Sequence, residues 1–226
     1  MALTQIKSSN ITDGTIVNAD VSATAAIVST KLSGVESGLT SVQVFTASGT
    51  WTRPTGITKV IVEVQGGGAG GARDATGTQQ IGGSAGGYAK KLLDVSSIST
   101  STITIGVGGA GATSTDTAGV DGGDSSWVDG TNTISGLKGV GGNTAWTRTV
   151  GGLGSGGDLN IQGGDGGANI LGNAGSSQFV HGGQNWSVVD LQNIATGYGA
   201  GGGAMETSGG NGGAGTAGII VVTEYK

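Results

Sequence analysis

Gly67 to Ala72 reads GGAGGA, and the same Gly-Gly-x-Gly-Gly-x hexad returns at Gly163 to Ala168 (GGDGGA) and Gly209 to Ala214 (GGNGGA). A side chain at every third residue is the period of a polyproline-II-type helix, which turns once in three residues and forms no hydrogen bonds within itself. All side chains of such a segment fall on one stripe. The other two faces are bare glycine backbone, so neighbouring segments can close in until their N–H and C=O groups bond between segments, with Cα–H···O contacts assisting. The hexads predict a bundle of polyglycine-II-like helices.

Composition agrees. The chain has 51 glycines in 226 residues, about three times the usual share, and one proline, Pro54. Collagen would need glycine at every third position and abundant proline, so it is excluded. Disorder is the competing expectation, because glycine maximises the entropy of the unfolded chain and only 35% of residues are hydrophobic. Against it stand clean strand signals on both sides of the glycine-rich region and tryptophans spread through it. A conventional core would be thin, so backbone hydrogen bonds must carry an unusual share of the stability. There are no cysteines to staple the fold. The net charge is −5 without a lysine or arginine cluster, which disfavours phosphate-driven nucleic-acid binding. The start, MALTQIKSS, has no apolar signal core, and no apolar run is long enough for membrane insertion.

Residues 1–40 are glycine-poor and place Ile6, Ile11, Ile16 and Val21 five positions apart, a spacing that is neither helical nor a plain strand alternation. It predicts a short extended or spiral attachment segment that buries one aliphatic per turn against its own copies or another protein. Ala25 to Leu32 (AAIVSTKL) adds a short helix, bringing Ile27 and Leu32 into the same role. Gly34 to Gly38 reads as a linker. Residues 41–226 form the second region. Val42 to Phe45 and Lys59 to Gln65 (KVIVEVQ) begin its strands, and in the latter Val60, Val62 and Val64 share one face. Tyr88 to Val95, Thr102 to Val107 and Gly218 to Tyr225 follow. The fold expected is mainly β: a small sheet tying both ends together, with the glycine bundle inserted between. The segments at 73–81, 124–134, 143–149, 173–189 and 205–208 then become turns at rod ends, where recognition residues usually sit on a rigid scaffold.

No constellation selects an enzyme. Gly67 to Arg73 follows a strand as a phosphate-cradling loop does, but no amphipathic helix follows it and the pattern recurs along the chain. Asp121, Asp124, Asp158 and Asp165 sit beside glycine pairs, yet the calcium nonapeptide GGxGxD is not repeated, and capping roles fit them better. His181 is the only histidine, so a multi-histidine metal site is impossible. No metal or cofactor is expected. The large side chains of the inferred turns are the recognition candidates: Trp146 with Arg148; Phe179, His181 and Trp186; and Tyr198 with Met205 around the last glycine tract. Trp127, within SSWV, reads instead as a core residue.

Phe45 to Gly71 (FTASGTWTRPTGITKVIVEVQGGGAGG), together with GGYAKKLLDV, TITIGVGGAG, GGDLNIQGGDGG and the closing GIIVVTEY, resembles the glycine-rich domain of bacteriophage tail-fibre proteins over about residues 42–226. The N-terminal ITDGTIVNADVSATAAIVSTKLSG is similar to short segments of phage fibres and tail appendages. The resemblance implies a virion protein, assembled in the host cytoplasm and acting at the host cell surface. In related tail-tip adhesins of T-even-like phages, glycine-rich motifs form a polyglycine-II sandwich and the segments between them read the receptor. By position those segments include 143–149, 173–189 and 205–208. Those adhesins carry a larger attachment domain than residues 1–40 provide. The partners implied are other virion proteins through the N-terminal segment, a protein or glycan of the host surface, and further copies in a homotrimer. The alternative is a structural fibre or decoration protein whose loops contact other virion proteins.

Overall fold

Alternation in KVIVEVQ is realised as strand β3 (Lys59–Gln65), with Val60, Val62 and Val64 fully buried and Lys59, Ile61 and Glu63 on the half-buried opposite face. The computed structural model describes residues 21, 38–74, 81–145, 147–167, 172–183, 195–205 and 210–226. The chain divides into two compact units, Met1–Ser37 and Gly38–Lys226. In the first only Val21 is described, and it is exposed; Ile6, Ile11, Ile16, Ile27, Leu32 and the expected short helix lie outside the described residues.

In the second unit β3 belongs to a five-stranded antiparallel sheet ordered β1 (Leu39–Phe45), β10 (Ile219–Tyr225), β3, β4 (Tyr88–Asp94), β9 (Leu159–Ile161). A second five-stranded antiparallel sheet runs β2 (Gly49–Thr52), β5 (Thr100–Thr104), β6 (Ser125–Val128), β7 (Thr133–Gly136), β8 (Gly154–Ser155). Residues of both sheets bury one shared core around Trp51 and Trp127, whose ring centroids lie 4.9 Å apart. Trp127 is thus a core residue, as its strand setting predicts. Glu224 is also buried here. Its carboxylate accepts from Trp51 Nε1 at 2.8 Å, Gln43 Nε2 at 2.7 Å and the Ser41 hydroxyl, which offsets the cost of burying it.

The β part is therefore larger than the small tying sheet expected from sequence. One inferred rod-end turn, 124–134, is instead mostly the β6–β7 hairpin. Its tip is Asp129-Gly130, with Gly130 at φ 88°, and Asp129 Oδ1 accepts the N–H groups of Thr131 and Asn132.

Most strands run directly into glycine rods. β3 leads into residues 66–74, and 81–87 leads into β4; 106–112 follows β5, and 117–123 leads into β6. Likewise 137–142 follows β7, 149–153 leads into β8, 162–167 follows β9 and 210–218 leads into β10. Rods 172–177 and 199–205 join rod 210–218 in a third layer of the lattice. The hydrogen bonds of rod 66–74 carry the three-residue period. Its Gly66, Ala69 and Ala72 N–H groups donate to Gly87, Ser84 and Ile81 of rod 81–87; Gly67, Gly70 and Arg73 donate to Gly123, Val120 and Thr117; Gly68 and Gly71 donate to Thr216 and Gly213. Each step of three along the rod moves three residues back along an antiparallel neighbour.

Carbonyls of the same rod accept from three parallel neighbours: Gly67 and Gly70 from Gly139 and Gly142, Gly68 and Gly71 from Gly109 and Ala112, Ala69 and Ala72 from Gly202 and Met205. Rod 66–74 is thus the centre of a hexagon. Rod 81–87 centres a second one, with rods 66–74, 137–142, 149–153, 162–167, 172–177 and 199–205 around it. This is a polyglycine-II-like lattice, and among the described residues there is no α-helix. Glycine is required here by space. A Cβ on Gly68, Gly70 or Gly71 would overlap the carbonyl of Ala200, Ala110 or Gly203, although none of these glycines has a positive φ.

Candidate functional site

The rods fix where the connecting segments lie. Rods leave the sandwich along 66–74, 106–112, 137–142, 162–167 and 199–205 and return along 81–87, 117–123, 149–153, 172–177 and 210–218, so their outer ends lie together at the end far from the sheets. Arg73, at the end of the central rod, ties that rod to the 113–117 segment and to rod 210–218. Its Nη1 donates to the Thr113 carbonyl at 2.8 Å and to Asn211 Oδ1 at 3.3 Å, while its backbone exchanges N–H···O bonds with Thr117 at 3.1 and 3.2 Å. In the sequence Arg73 marks only the start of the 73–81 turn. Its position directly after the longest buried glycine tract was the available signal.

Beside it, 143–148 is shaped by Asn143, whose Oδ1 accepts from the Ala145 N–H at 3.0 Å and whose Nδ2 donates to the Thr147 carbonyl at 2.8 Å. Arg148 extends from this turn onto the neighbouring rod, with Nη1 2.6 Å from Asp165 Oδ2. Its side chain remains 69% exposed, so the guanidinium is held in place yet open to a ligand. Thr149 is buried and donates from its hydroxyl to the Gly82 carbonyl at 3.0 Å. Met205 ends its rod with a buried side chain. Trp146 lies outside the described residues, as do 75–80, 168–171 and 206–209.

Phe179, His181 and Tyr198 occupy a different place. The turn at 178–180 lies at the sandwich end of the third layer, where the Ser177 hydroxyl donates to the Tyr198 carbonyl at 2.6 Å. There the half-exposed Phe179 ring meets Tyr88, at the start of β4, edge-on at 5.9 Å. His181 is exposed and Tyr198 half-buried. Burial, followed by a hydrogen bond and charge from Glu63, pushes the Tyr88 hydroxyl above its usual pKa. Trp186 lies outside the described residues.

Aspartates cap the lattice edge. Asp121 and Asp124, three residues apart, accept the N–H groups of Gly141 at 2.8 Å and Lys138 at 2.7 Å; Asp165 accepts that of Gly151 at 2.9 Å. Each carboxylate stands in for the carbonyl of a missing rod. The Gly141 N–H is the main influence holding the Asp121 carboxyl below its ordinary range, with Lys138 adding to it. Among the described residues, no group of three or more acidic or histidine side chains could hold a metal ion.

A family model described as a glycine-rich domain matches residues 44–221, from within β1 to within β10. The chain belongs to the glycine-rich domain family. In this glycine-rich domain the matched stretch takes in nearly all of the sandwich as well as the rods. No curated protein matches the chain.

Proposed function

We propose that this glycine-rich domain is a bacteriophage tail-fibre or tail-tip adhesin that binds the host surface, without enzymatic activity, through the segments at the far ends of its rods. The observation that supports this reading is that the outer ends of the rods, from which those segments spring, lie together at one end of a backbone-bonded lattice. Segments anchored this way can change sequence without disturbing the scaffold, and they keep a fixed geometry toward a ligand. Arg148 supplies an open, oriented guanidinium for a protein or glycan receptor, and Trp146 and Trp186, which lie outside the described residues, are the sequence candidates for aromatic contact. Residues 1–40 join the domain to other virion proteins, and a homotrimer multiplies a weak site through avidity.

Adsorption of the purified protein to candidate host cells tests the reading. Wild type binds a susceptible host, and Trp146→Ala, Arg148→Ala and Trp186→Ala each weaken binding while leaving the circular dichroism spectrum unchanged. A correctly folded wild type that adsorbs to none of the hosts of related phages favours a structural or decoration role.

A further inference from the structure

We propose that strand β1, pinned by the buried Glu224, is a mechanical clamp: the domain resists tension between Gly38 and the outer ends of its rods far more strongly than tension between Gly38 and Lys226. β1 runs from Leu39 to Phe45 in the same direction as β3, because both pair antiparallel with β10. β3 runs toward the rods, so Leu39 lies at the end of the sheet away from them, paired with Tyr225. The chain therefore enters this unit at the opposite end from the rod tips.

Geometry decides which bonds carry a pull. The hydrogen bonds of an antiparallel ladder lie across the strands. A pull from Gly38 against the rod tips acts along β1, so its six register pairs with β10 share the load and yield only when the strand slides as a whole. At the far end of the path the bonds between rods also cross the direction of the pull, for 106–112 and 117–123 are both held sideways by rod 66–74. A pull between Gly38 and Lys226 is different. Leu39 and Tyr225 are paired at the open end of the ladder, so that force peels β1 away one pair at a time.

Side chains tighten the same strand. β1 lies at the edge of its sheet, Leu39, Val42 and Val44 are exposed, and Phe45 is its one side chain packed against the core. Apolar burial does little to hold it. Instead the Ser41 hydroxyl and Gln43 Nε2 donate to Glu224 of β10, which is itself braced from the facing sheet by Trp51 Nε1. Hydrogen bonds to a carboxylate are stronger than those between neutral groups, and sliding β1 breaks both of its own. On the function proposed above, a domain attached through residues 1–37 and bound at its rod ends is pulled along this strong axis. The clamp itself does not depend on that function.

Single-molecule pulling of the full chain tests the proposal. The sequence has no cysteine, so introduced pairs place the handles: Gly38→Cys with Thr115→Cys loads the tip axis, and Gly38→Cys with Lys226→Cys loads the peeling axis. Gly38 has open space for a side chain, and Thr115 and Lys226 are exposed. The first rupture on the tip axis is expected at about three times the peeling force, since the ladder bonds are loaded together and not in turn. Gln43→Ala, with its folding checked by circular dichroism, lowers the tip-axis force. First rupture at equal force on both axes overturns the clamp, and a folded Gln43→Ala variant that holds as well as wild type overturns the part given to Glu224. Neither result bears on receptor binding, which adsorption tests separately.

Discussion

The sandwich and the glycine lattice are built from the same chain runs, yet side chains hold one and exclude themselves from the other. In the sandwich, Val60, Val62 and Val64 of β3 meet Trp51, Trp127 and Ile134 from the facing sheet, and apolar burial drives the contact. One residue past β3 the logic inverts. From Gly66 onward the chain approaches its neighbours until a Cβ has no room, and successive N–H groups turn to three different partners. A strand bonds to two neighbours in one plane, whereas each of the two central rods, 66–74 and 81–87, bonds to six around its axis. That extra connectivity is how a chain so rich in glycine overcomes the backbone entropy glycine loses on folding.

Substitutions that break this contrast differ in size. Gly68→Ala inserts one methyl group against the Ala200 carbonyl at the centre of a hexagon. It should cost about 4 kcal/mol or more, at the severe end of point mutations, as measured by chemical denaturation. Trp127→Ala leaves the lattice untouched but empties the sandwich core, with an expected loss of about 3–4 kcal/mol. A Gly68→Ala variant as stable as wild type would sink the claim that space selects glycine in the rods.

At the lattice edge the effects shrink. Asp121→Ala removes the acceptor for the Gly141 N–H and should cost about 1 kcal/mol, kept small by solvent at a side chain 43% exposed. Asp121→Asn keeps an acceptor oxygen and should recover most of that loss. Equal losses in both variants would mean that the Lys138 ion pair, and not the cap, carries the effect. The Asp121 carboxyl is held below its ordinary pKa, so its stabilisation is complete above about pH 4. It falls away only as the pH drops through the lowered folded value, so acid titration followed by NMR should loosen rod 137–142 there in wild type but not in Asp121→Ala. Smallest of all, Gly49→Ala in strand β2 meets nothing within 4 Å, and its stability should change by less than about 0.5 kcal/mol.

The three-residue period was legible at Gly67 to Ala72, as was the core face of KVIVEVQ, because both depend on local side-chain spacing. The partners of each rod were not. Backbone bonds between glycines leave no side-chain record of which segments meet, except at the edge, where Asp121 and Asp124 repeat the three-residue step opposite Gly141 and Lys138. The β6–β7 hairpin carries a usable Asp129-Gly130 turn signal, but its place between glycine tracts predicts a rod-end turn instead. The candidate site was legible in part. Arg148 falls at a rod end as its segment predicts, whereas Phe179 and Tyr198 sit near the sandwich because 172–177 is itself a rod that carries the chain back toward the sheets.

Amide hydrogen exchange of the full chain, read residue by residue, tests the lattice most directly. If the rods bond laterally as described, the amides of Gly66, Gly67, Gly68, Gly70 and Gly71 exchange as slowly as that of Val62 in β3. Exchange of these glycine amides at rates typical of an unfolded chain, with Val62 still protected, would contradict it.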